Sequence, residues 1–225
     1  MSDHDGRRRG LLAIDTATSR VIVATGSPDG ETDGISTWVA GYRHGETLLP
    51  AIQRFLGEQN LRRSRLVGIV VGTGPGAFTG LRVGMATAKG LAHGLVIPLV
   101  GVSTGEALIA ASGVERAVLL LPAGPSDRVV VRPGTAPRLL PGGTDPELAS
   151  DESLVALDLD GRAPADALER GEHARDGVGA ALLRLGADRL RSGENELETV
   201  VPEYVTLPRG ARQAGGDVAW SRDPR

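Results

Sequence analysis

The residues of this chain that could do chemistry lie in three places. Gly72, Gly74, Gly76, Gly80 and Gly84 fall in one stretch that also holds Thr73, Pro75 and Thr79. A glycine loop between a strand and a helix aims backbone N–H groups and a helix N-terminus at whatever sits above it, which is phosphate chemistry. Asp15 ends an apolar run and is followed by Thr16, Thr18 and Ser19. An acid beside hydroxyls could orient a metal, a water or a phosphate, or it could cap its own turn through carboxylate-to-backbone hydrogen bonds. His4, His44, His93 and His173 complete the inventory. None has a second histidine four residues on, so no helical pair of metal ligands is expected. His44 reads as a structural or capping residue.

The glycine stretch fits neither of the two familiar phosphate loops. The single lysine, Lys89, lies deep inside the following helix rather than at its start, so the Walker chemistry is missing. The spacing of Gly72, Gly74 and Gly76 is also wrong for a dinucleotide fingerprint. With no cysteine there is no disulfide, thiolate ligand or sulfur nucleophile. No catalytic residue, metal or cofactor is expected.

These groups must be positioned by an α/β framework. Residues 11–15, 21–25 and 35–40 read as three strands joined by tight turns, and residues 44–56 as a helix with Leu48, Leu49, Ile52, Phe55 and Leu56 on its apolar face. Residues 66–71 read as a buried strand and 78–94 as the helix after the glycine loop. A strand at 97–102, a helix at 104–111 and a strand at 114–121 follow. Beyond residue 122 the chain is rich in Pro and Gly, with strand-like pieces at 128–131, 138–140 and 154–157. A short helix is expected at 163–169, a longer one at 177–190, and an extended segment at 200–205. The expected organisation is a flexible start (1–10), an α/β domain (11–113), a divergent second α/β domain (114–207) and a disordered polar tail (208–225).

Projected at 100° per residue, the helix over 78–94 places Leu81, Met85, Ala88, Ala92 and Leu95 in one stripe, the face expected on a sheet. Gly80, Gly84 and Leu91 form a smooth second strip beside Thr87, while Arg82, Lys89 and His93 share a polar edge. A helix apolar nearly all round needs cover on both sides, and glycines four apart admit a close backbone. The cover expected is a second helix, either internal or supplied by a partner. The 225 residues carry a net charge of −3, which does not favour direct nucleic-acid binding. The polar start has no secretory h-region, and no apolar run reaches membrane-spanning length.

Three pieces together resemble the TsaB (YeaZ) family of bacterial tRNA-modification proteins: residues 12–19 (LAIDTATS), residues 44–50 (HGETLLP) and the block 74–84 (GPGAFTGLRVG). Gly101-Val102-Ser103-Thr104 fits as well, and the match runs in order from residue 11 to about 104. Past Gly113 it is thin. The family usually carries an Asp-Ala-Arg and a nearby Glu-x-Tyr where this chain has residues 123–130 (AGPSDRVV). Pro202-x-Tyr204-Val205 resembles the family's terminal Pro-x-Tyr-Leu, and Ala77 replaces the more usual serine.

The resemblance implies an α/β, actin/Hsp70-like (ASKHA) fold of two duplicated ribonuclease-H-like halves, the second divergent and shortened. It implies a cytoplasmic, non-catalytic scaffold that binds a TsaD-type transferase, which places threonylcarbamoyl on adenosine 37 of tRNAs reading codons that begin with A. A TsaE-type ATPase joins the complex, tRNA is met only through it, the chain alone forms a homodimer, and no membrane is involved. The expected docking residues are Leu48, Leu49, Ile52, Phe55, Phe78, Gly80, Arg82, Gly84, Thr87 and Leu91. A weaker phosphate or nucleotide site would use Asp15, Thr16, Gly74 and Gly76. The alternative is an active ATP-binding phosphotransferase or ATPase of the same fold. It would need a second phosphate loop, for which Pro141-Gly142-Gly143-Thr144-Asp145 has the residue types. A peptidase lacks any catalytic constellation here.

Overall fold

The computed structural model describes residues 9–39, 44–205, 211–214 and 217–220. β1 (Gly10–Asp15), β2 (Arg20–Gly26) and β3 (Thr32–Val39) form a meander, followed by α1 (His44–Glu58). β4 (Leu66–Gly72), α2 (Phe78–Leu95), β5 (Leu99–Val102) and α3 (Thr104–Ala111) complete the first half. The second contains β6 (Ala117–Ala123), β7 (Asp127–Val131), β8 (Arg138–Leu140), β9 (Ser153–Ala156) and α4 (Ala165–Arg191).

The two sheets repeat one plan. The first has the order β3-β2-β1-β4-β5 and the second β8-β7-β6-β9. In each, the first strand pairs antiparallel with the second and parallel with the fourth. These are the two ribonuclease-H-like halves of an actin/Hsp70-like fold, the second with no fifth strand among the described residues. A helix also precedes the fourth strand of the first half, whereas residues 141–152 at that place in the second form none.

Strand alternation distributes the core between two layers. Leu12, Ile14, Val23 and Ile69 face α1 and α2, meeting Leu48, Ile52, Phe55 and Met85. Leu11, Ala13, Ala24 and Val70 face the other way, into a cluster with Leu108 of α3, Val178 and Leu182 of α4, and Leu119 and Val131 of the second sheet. Helices α3 and α4 are therefore a middle layer shared by both sheets.

The structure corrects three expectations. The helices expected at 163–169 and 177–190 are one, α4. Its polar middle is compatible with burial because Gly171 and Ala174 lie on the packed face and Arg175 is neutralised by Asp158 and Glu172. Within the tail expected to be disordered, Ala211–Ala214 (β10) and Asp217–Trp220 (β11) pair as an antiparallel ribbon. At the other end, Gly10 already belongs to β1, and residues 1–8 of the expected flexible start lie outside the described residues. No helix of the described residues is long and apolar enough to cross a membrane.

Candidate functional site

Asp15 sits where β1 ends and is fully buried. Its Oδ1 accepts the Ala17 N–H at 2.9 Å and its Oδ2 accepts the Thr104 hydroxyl at 2.5 Å. Thr104 Oγ1 in turn accepts the Gly74 N–H at 3.1 Å. One carboxylate thus ties together the β1–β2 turn, the start of α3 and the glycine loop. Burial pushes the Asp15 carboxyl above the usual carboxylate range, opposed by the hydrogen bonds from Thr104 and Ala17. Of the two roles open to this acid, the structure shows the turn cap.

The β1–β2 turn also fills the space above the glycine loop. The Ala77 N–H donates to the Ala17 carbonyl at 2.8 Å, and the Thr16 hydroxyl donates to the Gly80 carbonyl at 2.8 Å. A Cβ on Gly80 would stand 2.1 Å from the Thr16 carbonyl oxygen, and one on Gly84 would stand 2.1 Å from Thr16 Oγ1. Glycine is required at both because an irregular turn of the same chain lies directly on α2. The cover expected over the smooth strip is a second helix, internal or a partner's. The strip meets Thr16 instead, so Gly80 and Gly84 leave the set of docking residues.

The same geometry encloses most of the residues of the expected phosphate site. Asp15 and Thr16 are enclosed, and Gly74 is buried with φ +100° and its carbonyl accepting from Ser103 Oγ and the Gly105 N–H. Of the four residues assigned to it, only Gly76 is exposed. In the second half, Gly142 donates its N–H to Asp127 and Thr144 closes a turn onto Pro141. Those residues do not line the cleft. β1 ends in Asp15 whereas its counterpart β6 ends in Ala123.

A cleft of about 420 Å³ separates the halves, bordered by Ser19, Gly76 and Phe78 on one side and Leu121 and Asp158 on the other. Tyr204 closes its rim, its ring 5.0 Å from Phe78, while the Arg82 guanidinium lies 5.2 Å from the Phe78 ring on a cation–π contact. Asp158 accepts both the Ser19 N–H (2.9 Å) and the Ser19 hydroxyl (2.6 Å) and pairs with the buried Arg175. The serine is thereby a clasp between halves, and the two histidines with described side chains, His93 and His173, are exposed and outside the cleft. Sequence reasoning missed Asp158, Arg175 and the Ser19 clasp. The only signal was an acid just after a strand, in a segment where the family pattern had faded.

The helix face offered for docking is narrower than expected. Leu48, Ile52 and Phe55 are at most 4% exposed and belong to the chain's own core, because α1 turns them onto the first sheet. Leu49 is half-exposed, Arg82 is exposed, and Thr87 and Leu91 are partly exposed. The side chain of His44 lies outside the described residues.

With this geometry in hand, comparisons identify the relatives. Residues 23–157 match the family model for TsaD, tRNA N6-adenosine threonylcarbamoyltransferase. An uncharacterized protein of Mycobacterium leprae is 45% identical over 101 residues, which cover 44% of this chain and 28% of that protein. The tRNA threonylcarbamoyladenosine biosynthesis protein TsaB of Escherichia coli is 38% identical over 94 residues, 42% of this chain and 40% of the relative. These alignments span less than half of each relative. The solved structure of YeaZ from Pseudomonas aeruginosa superposes with a TM-score of 0.65 at 25% identity, covering 86% of this chain and 98% of that one. The chain therefore belongs to the threonylcarbamoyltransferase (TsaD) family, as a member of its TsaB/YeaZ branch.

Proposed function

We propose that this chain is a non-catalytic scaffold that binds a TsaD-type transferase and supports formation of N6-threonylcarbamoyladenosine at position 37 of tRNA. The observation that carries the reading is the closed glycine loop: Thr16 packs directly on Gly80 and Gly84, and Asp15 and Gly74 are committed to internal hydrogen bonds. A member of a transferase family whose loop is filled by its own backbone has lost the nucleotide part of the chemistry and retained the frame. Docking uses the outward ridge of α1 and α2, with Leu49, Thr87 and Leu91 at its centre and Arg82 at its rim. The same ridge pairs two copies when the partner is absent, since the half-exposed Leu49 and partly exposed Leu91 on adjacent helices gain from isologous cover. A TsaE-type ATPase joins this assembly, and the complex works in the cytoplasm.

Reconstitution tests the reading. Threonylcarbamoyl transfer to tRNA by the TsaD-type protein of the same host should depend on added chain, and Leu49→Arg should abolish both that dependence and complex formation on a sizing column. Transfer that proceeds equally without the chain, or ATP hydrolysis by the chain alone that survives repurification, would overturn it.

A further inference from the structure

Most arginines of the described residues have a partner. Arg116 meets Asp151, Arg132 meets Glu152, Arg170 meets Asp166 and Arg189 meets Glu194. Among the described residues Arg20, Arg138 and Arg184 have none but stand apart from one another, whereas Arg62, Arg63 and Arg65 are unpaired and clustered. They occupy the short linker and 3-10 turn before β4, are all exposed, and have no carboxylate or hydrogen-bond acceptor among the described residues. Parallel pairing of Gly10 with Leu66 brings the exposed Arg9 alongside Arg65. Four guanidinium groups with no partner among the described residues therefore share one end of the first sheet, in a chain whose net charge is −3. Like charges this close repel one another in the free protein, so the arrangement gains from an external polyanion.

Beside Arg62 and Arg63 runs an open groove of mixed polarity, bordered by Gln53 and Gly57 of α1, by Asn60 just beyond it and by Leu95 at the end of α2. It continues from the outward ridge of those two helices. The patch lies at the end of β1 and β4 opposite to the glycine loop and Asp15.

We infer that Arg62, Arg63 and Arg65, with Arg9, form a contact site for the phosphodiester backbone of RNA, engaged when the chain is in complex with its transferase. The inference rests on the scaffold reading, which brings a tRNA to the same assembly. Guanidinium forks match phosphate oxygens in pairs, and the groove beside them offers the Gln53 and Asn60 amides to ribose and phosphate oxygens. Net negative charge does not oppose this, because phosphate contacts depend on local charge within about a Debye length of roughly 8–10 Å. The site positions an RNA and reads no sequence.

The test uses the full chain with its TsaD-type partner and an unmodified tRNA transcript, followed by fluorescence anisotropy between about 50 and 200 mM salt. The triple variant Arg62→Ala, Arg63→Ala, Arg65→Ala should bind the transcript about tenfold more weakly at the low-salt end. Its slope of log affinity against log salt should be shallower by about two to three, close to one for each phosphate that is no longer neutralised. The corresponding triple lysine variant should keep the slope. Melting temperature and partner affinity of the alanine variant should be unchanged. Unaltered tRNA binding would overturn the inference. So would a loss of partner affinity, which would make the patch a protein-docking site, or binding of the patch to anionic vesicles in preference to tRNA. If the complex does not form at all, the scaffold reading fails; the same titration on the chain alone, with and without the triple substitution, then decides the arginine site separately.

Discussion

The two halves of this molecule share a strand order and differ in how much of it they can support. The first has five strands, two helices on its outer face and a covered edge. At that edge the Leu99 N–H donates to Asn195 Oδ1 (3.2 Å), the Leu99 carbonyl accepts the Glu196 N–H (2.7 Å), and the Gly101 N–H donates to Glu196 Oε2 (2.7 Å). Side chains and a strap from the far end of the chain thus replace the sixth strand that an open edge would recruit. The second half has four strands, one of them only three residues long, and its outer face has a small cluster around Val118, Leu120 and Ala167. It leans on α4, which the first sheet also claims. A half-domain that has lost a strand and a helix persists by sharing a helix with its intact twin.

The largest effect expected from that dependence is at Gly171. A Cβ there would stand 1.8 Å from the carbonyl oxygen of Ala156 in β9, and a strand backbone cannot step aside. Gly171→Ala should cost about 3 kcal/mol in urea unfolding despite the better helix propensity of alanine. Gly177 lies on the same helix, where a Cβ would meet the Ala111 Cβ at 3.1 Å. Gly177→Ala should stay within about 1 kcal/mol of the parent, the close approach and the propensity gain offsetting each other. Equal effects at the two sites would mean that α4 does not hold the second sheet as closely as the structure shows.

Next in size is Gly84, in the intact half. Gly84→Leu places its Cβ on Thr16, whose own hydroxyl is committed to the Gly80 carbonyl. Overpacking of this kind costs typically about 1–3 kcal/mol, and it should appear as a lower melting temperature of the isolated chain. Partner affinity of the fraction that remains folded should not change. An equally stable variant with weakened partner binding would return Gly84 to the docking surface.

What the sequence made legible follows the same division. In the first half the apolar periods are clean, so α2 and α3 appear at Phe78–Leu95 and Thr104–Ala111 much as the pattern predicts. The glycine strip signalled that something comes close to α2, and only the fold reveals that it is Thr16. A pattern records the need for space and not the identity of the occupant. In the second half, the helical period is masked where Arg175 is buried against Asp158, because a paired charge on a packed face reads as a break. The clasp of Ser19 to Asp158 joins positions 139 apart in the chain, and no local pattern encodes such a pair.

That clasp yields a smaller prediction. Ser19→Ala removes one hydroxyl bond and leaves the backbone N–H on Asp158, so the loss should be about 1 kcal/mol. Because Asp158 keeps Arg175, the second sheet should remain ordered, and amide exchange should quicken at the cleft-facing end of β6 rather than throughout. Global acceleration across both sheets would show that the halves are one cooperative unit with no separate second half to speak of.

The smallest effect belongs to the strap that closes the first half's edge. The Glu203 N–H donates to the Thr73 carbonyl at 2.7 Å, and its carboxylate lies near Ser103 Oγ at 3.5 Å. Burial pushes the Glu203 carboxyl above the ordinary glutamate range; repulsion from Glu106 adds to this, and the Ser103 hydroxyl works against it. An acid whose pKa is raised on folding holds its proton in the native state at pH values where the unfolded chain has released it. Its stabilising contribution is complete below the unfolded pKa and is lost as pH rises through the folded one. Asp15 is shifted in the same direction, so the parent alone cannot separate the two. The difference between parent and Glu203→Gln can, since Asp15 is present in both. Between mildly acidic and neutral pH the parent should lose stability that the glutamine variant keeps, and the variant should therefore melt slightly higher at neutral pH. Parallel melting curves for the two proteins across that window would show that the strap is held by its backbone bond and by the buried Val200, with the carboxyl contributing nothing.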